Sequence, residues 1–191
     1  MQSFLVSTGV VAIAEIGDKT QLLALLLSAR FRKPLPIIAG ILAATLVNHG
    51  LAALLGIAAA DWLRGEAFQW ALGLSFIGMG LWALKPDTLG EGEKRRAAGA
   101  SAFLVTLVAF FLVEIGDKTQ VATMALAAQY QDIFWVTAGT TLGMMLANVP
   151  VVLVGEAAAT RLPLKAIRMA AAGVFILLGL MVLARAMHVF G

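Results

Sequence analysis

The chain has 191 residues, of which 61% are hydrophobic and 13% charged, and a mean hydropathy of +0.92. This composition lies outside the range of soluble domains. There is no cysteine, which excludes disulfides, thiolate metal sites, CxxC redox chemistry and cysteine nucleophiles together. The net charge of +3 and the pI near 9.6 come mostly from basic residues in short loops between apolar runs, a placement that fits lipid headgroups and argues against a nucleic-acid partner.

The apolar runs are roughly twenty residues long, the length that crosses a ~30 Å hydrocarbon core at 1.5 Å per residue. In chain order the sequence predicts an all-α integral membrane protein with six transmembrane helices, at Phe4–Leu27, Leu35–Ala58, Phe68–Leu84, Phe103–Ala127, Phe134–Gly155 and Leu164–Ala184. The first run lacks a preceding basic segment and contains Glu15, Asp18 and Lys19, so it reads as a span and not as a signal peptide. Short polar turns join the spans, except for KPDTLGEGEKRR after span three, which reads as a flexible linker. Trp62, Trp70, Trp82 and Trp135 fall near span ends and read as interfacial anchors.

The heptapeptide EIGDKTQ begins at Glu15 and again at Glu114, an offset of 99 residues. The same offset carries Ala39-Gly40 onto Ala138-Gly139, Gly56 onto Gly155, Gly80 onto Gly179 and Leu84 onto Leu183 without a gap. Such self-similarity marks a duplicated unit: residues 1–84 as repeat one, 85–99 as a cytoplasmic linker and 100–191 as repeat two. A unit with three spans ends across the membrane from where it began, so the second copy is expected to insert inverted. The basic residues agree. Arg30, Arg32, Lys33, Lys85, Lys94, Arg95, Arg96, Arg161, Lys165 and Arg168 lie on one predicted side, against Arg64 and Arg185 on the other. By the positive-inside rule both termini face away from the cytoplasm.

Glu15 and Glu114 each fall near the middle of a predicted span, where an ionisable side chain costs at least ~2.5 kcal/mol and needs a partner. A bound cation is the simplest partner for Glu15, Asp18, Glu114 and Asp117. On a continuous helix Glu15, Asp18 and Gln21 recur every third residue and share a face, as do Glu114, Asp117 and Gln120. Gly17 and Gly116 leave room for two motif helices to approach closely, or for the backbone to open and offer carbonyls. Hard oxygen donors select Ca²⁺, Mn²⁺ or Mg²⁺ over soft metals.

A purely structural reading pairs Glu15 with Lys19 and Glu114 with Lys118 at i,i+4, but leaves Asp18 and Asp117 unexplained. Lys19 and Lys118 can also serve as counter-charges or in proton coupling. Thr20 and Thr119 are expected to bond their own helix backbone in preference to a metal. Asn48, His49 and Asn148 lie within spans two and five, with His49 matched to Asn148 by the offset. They read equally as interhelical glue or as lining of the ion path, and His49 is able to carry a proton. Met144 and Met145 read as packing.

With both motifs in view, the chain resembles a known family whose signature, Glu-x-Gly-Asp-Lys/Arg-Thr/Ser, occurs once per three-helix repeat. Its members include bacterial MneA-type manganese exporters and Golgi calcium/manganese transporters. The resemblance spans both repeats and places the family's acidic residues on Glu15, Asp18, Glu114 and Asp117. It implies export of Mn²⁺, or of Ca²⁺, in exchange for protons, with these ions as substrates, no resident cofactor and the lipid bilayer as surroundings. A bacterial plasma membrane is expected, because the long N-terminal extension of eukaryotic relatives is absent. Nothing in the sequence sets an oligomeric state. The competing readings are a passive cation channel with the same carboxylates as a selectivity ring, an intramembrane metal enzyme, for which no HExxH or Ser/Lys pair is present, and a non-transporting scaffold.

Overall fold

The structure, a computed structural model, describes residues 1–62, 66–85, 101–154 and 164–187. The predicted linker beyond Lys85 lies outside the described residues, as do Arg64, Gly155, Arg161 and the side chains of Trp62 and Arg168. Every regular element among the described residues is an α-helix: α1 (Gln2–Glu15), α2 (Lys19–Phe31), α3 (Pro34–Trp62), α4 (Glu66–Ala83), α5 (Ala102–Glu114), α6 (Lys118–Tyr130), α7 (Ile133–Val154) and α8 (Leu164–Ala186). Three are long and apolar enough to cross a membrane, over Pro34–Ala60, Ile133–Val154 and Met169–Ala186. Gln2–Glu15, Ala67–Ala83 and Ala102–Glu114 are apolar but shorter.

Predicted spans two, three, five and six correspond to α3, α4, α7 and α8 within a few residues. Spans one and four do not form the continuous helices expected of them. Each is two half-helices, α1 with α2 and α5 with α6, broken inside the EIGDKTQ motif. Both second halves end alike, with a left-handed residue, Arg32 at φ 51° and Gln131 at φ 52°. Their N–H groups return to Ser28 O and Ala127 O, closing the last turn. Arg32 and Gln131 are themselves 99 residues apart.

Several of the close helix contacts come in exchanged pairs. Gly40 of α3 lies against Phe103 O and Thr106 of α5, and Gly139 of α7 lies against Phe4 O and Ser7 of α1. Gly80 of α4 meets Ala172 O and Ile176 of α8, and Gly179 of α8 meets Gly73 O and Ile77 of α4. Moving each first-half residue forward by 99, and each second-half residue back by 99, turns one contact into its mate. Part of the hydrophobic cores follows the same rule. One contains Leu27, Ile37, Ala109, Val113 and Val152; the other contains their counterparts Leu126, Val136, Val10, Ala14 and Ala53, together with Phe76 and Phe175 from α4 and α8. Exchange of this kind is what two like units related by a local two-fold would give.

Small residues permit the close crossings that hold helices together in lipid. A methyl group at Gly56 would run into the Met124 carbonyl of α6, whereas one at Gly78 meets nothing within 4 Å. Gly56→Ala is therefore expected to destabilise the protein by about 1–3 kcal/mol, and Gly78→Ala to change it by less than about 1 kcal/mol. Thermal unfolding of the two variants in one detergent checks the contrast. Trp70, Trp82 and Trp135 are each partly exposed, at 38–41%, and Trp135 stacks edge-on against Phe4 and Phe134. The indoles thus sit at surfaces near helix ends, where an amphipathic ring suits the lipid interface.

Candidate metal centre

The local sequence explains both breaks. After Glu15 the backbone turns extended at Ile16, and Gly17 takes φ +81°; after Glu114 the same happens at Ile115, and Gly116 takes φ +74°. A glycine in this left-handed region is a common helix stop. Asp18 and Asp117 are then the N-cap residues of α2 and α6. Gln21 and Gln120 fall at the third helical position, the spacing of a capping box. In each motif the glutamine Oε1 accepts from the preceding glycine N–H, Gly17 N at 2.8 Å and Gly116 N at 2.7 Å. The Asp18 and Asp117 N–H groups return to Glu15 O and Glu114 O at 3.1 and 3.0 Å. Two backbone N–H groups at each break are thereby satisfied inside the protein, as irregular chain at membrane depth requires.

The breaks also redirect the acidic side chains. Glu15, Glu114 and Asp117 converge so that one carboxylate oxygen from each lies within 4.8 Å of the others, and all three residues are buried. Asp18 stands outside this triplet, buried, with Lys118 Nζ 2.8 Å from its Oδ1. Lys19 Nζ lies 3.1 Å from Asp117 Oδ1. The two ion pairs thus cross between the motifs, in place of the i,i+4 pairs of the purely structural reading. With the helix ended at the glutamate, residue i+4 no longer lies on its face. The two pairs are unequal, the Lys19 side chain being 19% exposed and that of Lys118 5%.

The polar residues of α3 and α7 reach the opposite motif. His49 Nε2 is 3.4 Å from Glu114 Oε1, and Asn148 Nδ2 is 3.4 Å from Glu15 Oε1. Asn148 also donates to Met144 O and to the Met144 sulfur, and Met144 is otherwise buried in the apolar core. Asn48 donates to Phe111 O at 3.3 Å, and its Oδ1 accepts from Gln120 Nε2. Gln21 Nε2 donates to Ala147 O at 2.8 Å. Ala147 is the counterpart of Asn48, and Asn148 that of His49.

Two expectations about the motif side chains are revised. The break interrupts the helix face that Gln21 and Gln120 were expected to share with Glu15 and Glu114, and their amide oxygens accept from the glycine N–H groups. Thr119 bonds Glu114 Oε1 and lies 3.3 Å from Asp117 Oδ2, so its hydroxyl belongs to the acidic cluster and not to its helix backbone. The Thr20 hydroxyl, Glu15 Oε2, Glu114 Oε2 and Asn148 Oδ1 are buried with no hydrogen-bond partner among the described residues. Buried oxygens in this condition are costly. As hard donors around three converging carboxylates they fit a divalent cation. The partners that the sequence did not disclose are main-chain oxygens, Ala147 O and Phe111 O, which carry no residue-type signal.

The sequence of the chain matches the model of the family described as "Divalent cation/proton antiporter GDT1" over residues 3–91 and 102–189. The chain belongs to this family. It is 53% identical to a Vibrio cholerae protein named "Putative manganese exporter", over 94% of this chain and 90% of that protein. The Arabidopsis thaliana GDT1-like protein 4 is 29% identical over 94% of each chain. The Saccharomyces cerevisiae divalent cation/proton antiporter GDT1 is 22% identical over 95% of this chain and 83% of its own length. No solved structure matches the chain. The GDT1 family is one of transporters, and the apolar helices are those of a multi-pass membrane protein.

Proposed function

We propose that the chain exports a divalent cation, Mn²⁺ first and Ca²⁺ second, in exchange for protons, through one site shared by two inverted three-helix repeats, residues 1–84 and 100–191. The observation that carries this reading is the convergence of Glu15, Glu114 and Asp117 from two motifs 99 residues apart in sequence. With Asp18 they make four carboxylates, and Lys19 and Lys118 offset two, leaving the charge that one divalent ion neutralises. Each break also brings together the negative dipole end of α1 or α5 and the positive dipole end of α2 or α6, the latter beside its N-cap aspartate. The Vibrio relative's name supports Mn²⁺, and the yeast relative's name supports proton exchange.

Exchange follows from competition. Carboxylates this close repel one another unless a cation or protons come between them, and metal and protons use the same oxygens. Release of one therefore promotes capture of the other, provided the empty, unprotonated carrier rarely reorients. Purified protein in liposomes, with Mn²⁺, Ca²⁺, Mg²⁺ or Zn²⁺ and a pH dye inside, tests this at clamped voltage. Mn²⁺ flux should rise with an opposing proton gradient and move protons in return. Metal flux at full rate without proton movement would leave the passive channel as the better reading.

The bacterial plasma membrane, termini outside the cytoplasm and a cytoplasmic 85–99 linker belong to the same proposal. Arg32 and Gln131 sit at equivalent, exposed turns, and the chain has no cysteine of its own. Inversion requires that Arg32→Cys be protected from an impermeant thiol reagent in intact cells while Gln131→Cys is labelled. Labelling of both from one side would rule inversion out.

A further inference from the structure

We infer that Gln21 and Gln120 are positioning residues for the carboxylate site, each tying the shape of its own motif break to a helix of the opposite repeat. Each side chain has two arms. The oxygen arm holds the glycine N–H of its own break, at 2.8 Å for Gly17 and 2.7 Å for Gly116. The nitrogen arm crosses to the other half, Gln21 to Ala147 O of α7 at 2.8 Å and Gln120 to Asn48 Oδ1 of α3. The next residue along each of those helices contacts the motif glutamate, Asn148 on Glu15 and His49 on Glu114. Two neighbouring positions on α7 therefore fix the glutamine and the glutamate of motif one, and the equivalent two on α3 fix those of motif two.

The consequence is mechanical. A glutamine held by its oxygen to the glycine and by its nitrogen to the opposite repeat keeps the N-cap aspartate between them at a set distance from the glutamates across the site. In motif two Asn48 extends the tie, because its Nδ2 also holds Phe111 O on α5, before the break. One side chain thus links both half-helices of the second motif to α3. In motif one the group that receives the glutamine is a main-chain carbonyl, which makes no such second link.

This inference rests on the functional reading above, and Gln21→Glu separates it from a ligand role. A carboxylate keeps an oxygen for Gly17 N but has no hydrogen for Ala147 O, and a main-chain carbonyl cannot turn to donate. As a metal ligand, glutamate would hold or tighten Mn²⁺. As a positioning residue it should raise the KM for Mn²⁺ about tenfold or more, the range for lost partners of metal-binding groups. Gln120→Met and Asn48→Ala should raise it likewise, with KM moving more than the maximal rate. The full chain in proteoliposomes supplies KM and rate, and calorimetry in detergent supplies Mn²⁺ affinity for the same preparations. An unchanged or lowered KM in Gln21→Glu overturns the inference, as does loss of folded protein with unchanged KM in what remains. Glu15→Gln and Asp117→Asn run alongside. If they transport normally the metal-site reading itself fails; if they are inactive while the glutamine variants behave as wild type, only the positioning role fails.

Discussion

Asp117→Asn is expected to abolish Mn²⁺ transport and to destabilise the protein, and adding Lys19→Gln is expected to restore stability without transport. Asp117 has two roles in the structure. Its carboxylate belongs to the converging triplet with Glu15 and Glu114, and it is the partner of Lys19 at 3.1 Å. Amidation removes a charge from the first and, in the second, takes from the Lys19 ammonium its hydrogen-bonded counter-ion, leaving the more distant Asp18 and Glu114 charges. Breaking a buried pair from one side costs about 3–5 kcal/mol, and some solvent access at Lys19 moves the expected loss to about 3 kcal/mol. Removing the stranded charge recovers most of that, as measured by thermal unfolding in detergent. Flux should stay low in both variants, by more than the roughly 10- to 100-fold associated with an outer partner of a metal ligand. Glu15→Gln, Asp18→Asn and Glu114→Gln should be equally inactive. Transport recovered in the Lys19→Gln/Asp117→Asn double variant would show that Asp117 serves Lys19 alone and that the ligand set is smaller.

The second large effect is expected at Gly116. Its φ of +74° is one that L side chains adopt at a cost of about 1–2 kcal/mol. A methyl group there would meet nothing within 4 Å, so the penalty is conformational and free of steric clash. Gly116→Ala should lower Mn²⁺ affinity five- to thirtyfold if that cost falls on the binding-competent conformation. Gly116→Val, β-branched and more strongly excluded from this region, should lose transport altogether. Asn enters the left-handed region more readily, so Gly116→Asn should retain the most activity of the three. Equal transport by all three would mean that the break at Ile115–Asp117 is not needed for function. Radiotracer uptake normalised to protein abundance distinguishes the cases.

Much of the candidate site is legible in the sequence, and the gaps have physical causes. Two copies of EIGDKTQ at a constant offset, with charges far inside apolar runs, single out Glu15, Asp18, Glu114 and Asp117, of which the structure brings Glu15, Glu114 and Asp117 together. Asn48, His49 and Asn148 stood out because polar groups in apolar helices need partners. Of the two readings of Gly17 and Gly116, the locally opened backbone is the one the structure has, and the continuous helical period through the motif is not. Glu15-Ile16-Gly17 is a helix stop and Asp18-Lys19-Thr20-Gln21 a helix start, and both signals are local. A run of apolar residues on either side, long enough to span a membrane, outweighed them. Once the period is interrupted, i,i+3 and i,i+4 neighbours no longer face each other, so the glutamines leave the ligand face and the lysines find aspartates across the interface. The crossing itself is a tertiary property, as are the main-chain acceptors Ala147 O and Phe111 O.

The exchanged contacts also bear on how such a site can change over time. If two separate, identical units paired in this way, every substitution would enter the site twice, once from each side, and the centre would be forced to stay symmetrical. Joining the units in one polypeptide lifts that constraint, because each position then has a twin that is free to differ. Here the twins of 48 and 49 have diverged to Ala147 and Asn148. Glu114 accordingly stands beside an imidazole and Glu15 beside an amide. The two motif glutamates therefore have chemically distinct neighbours, a difference that two separate identical units could not show.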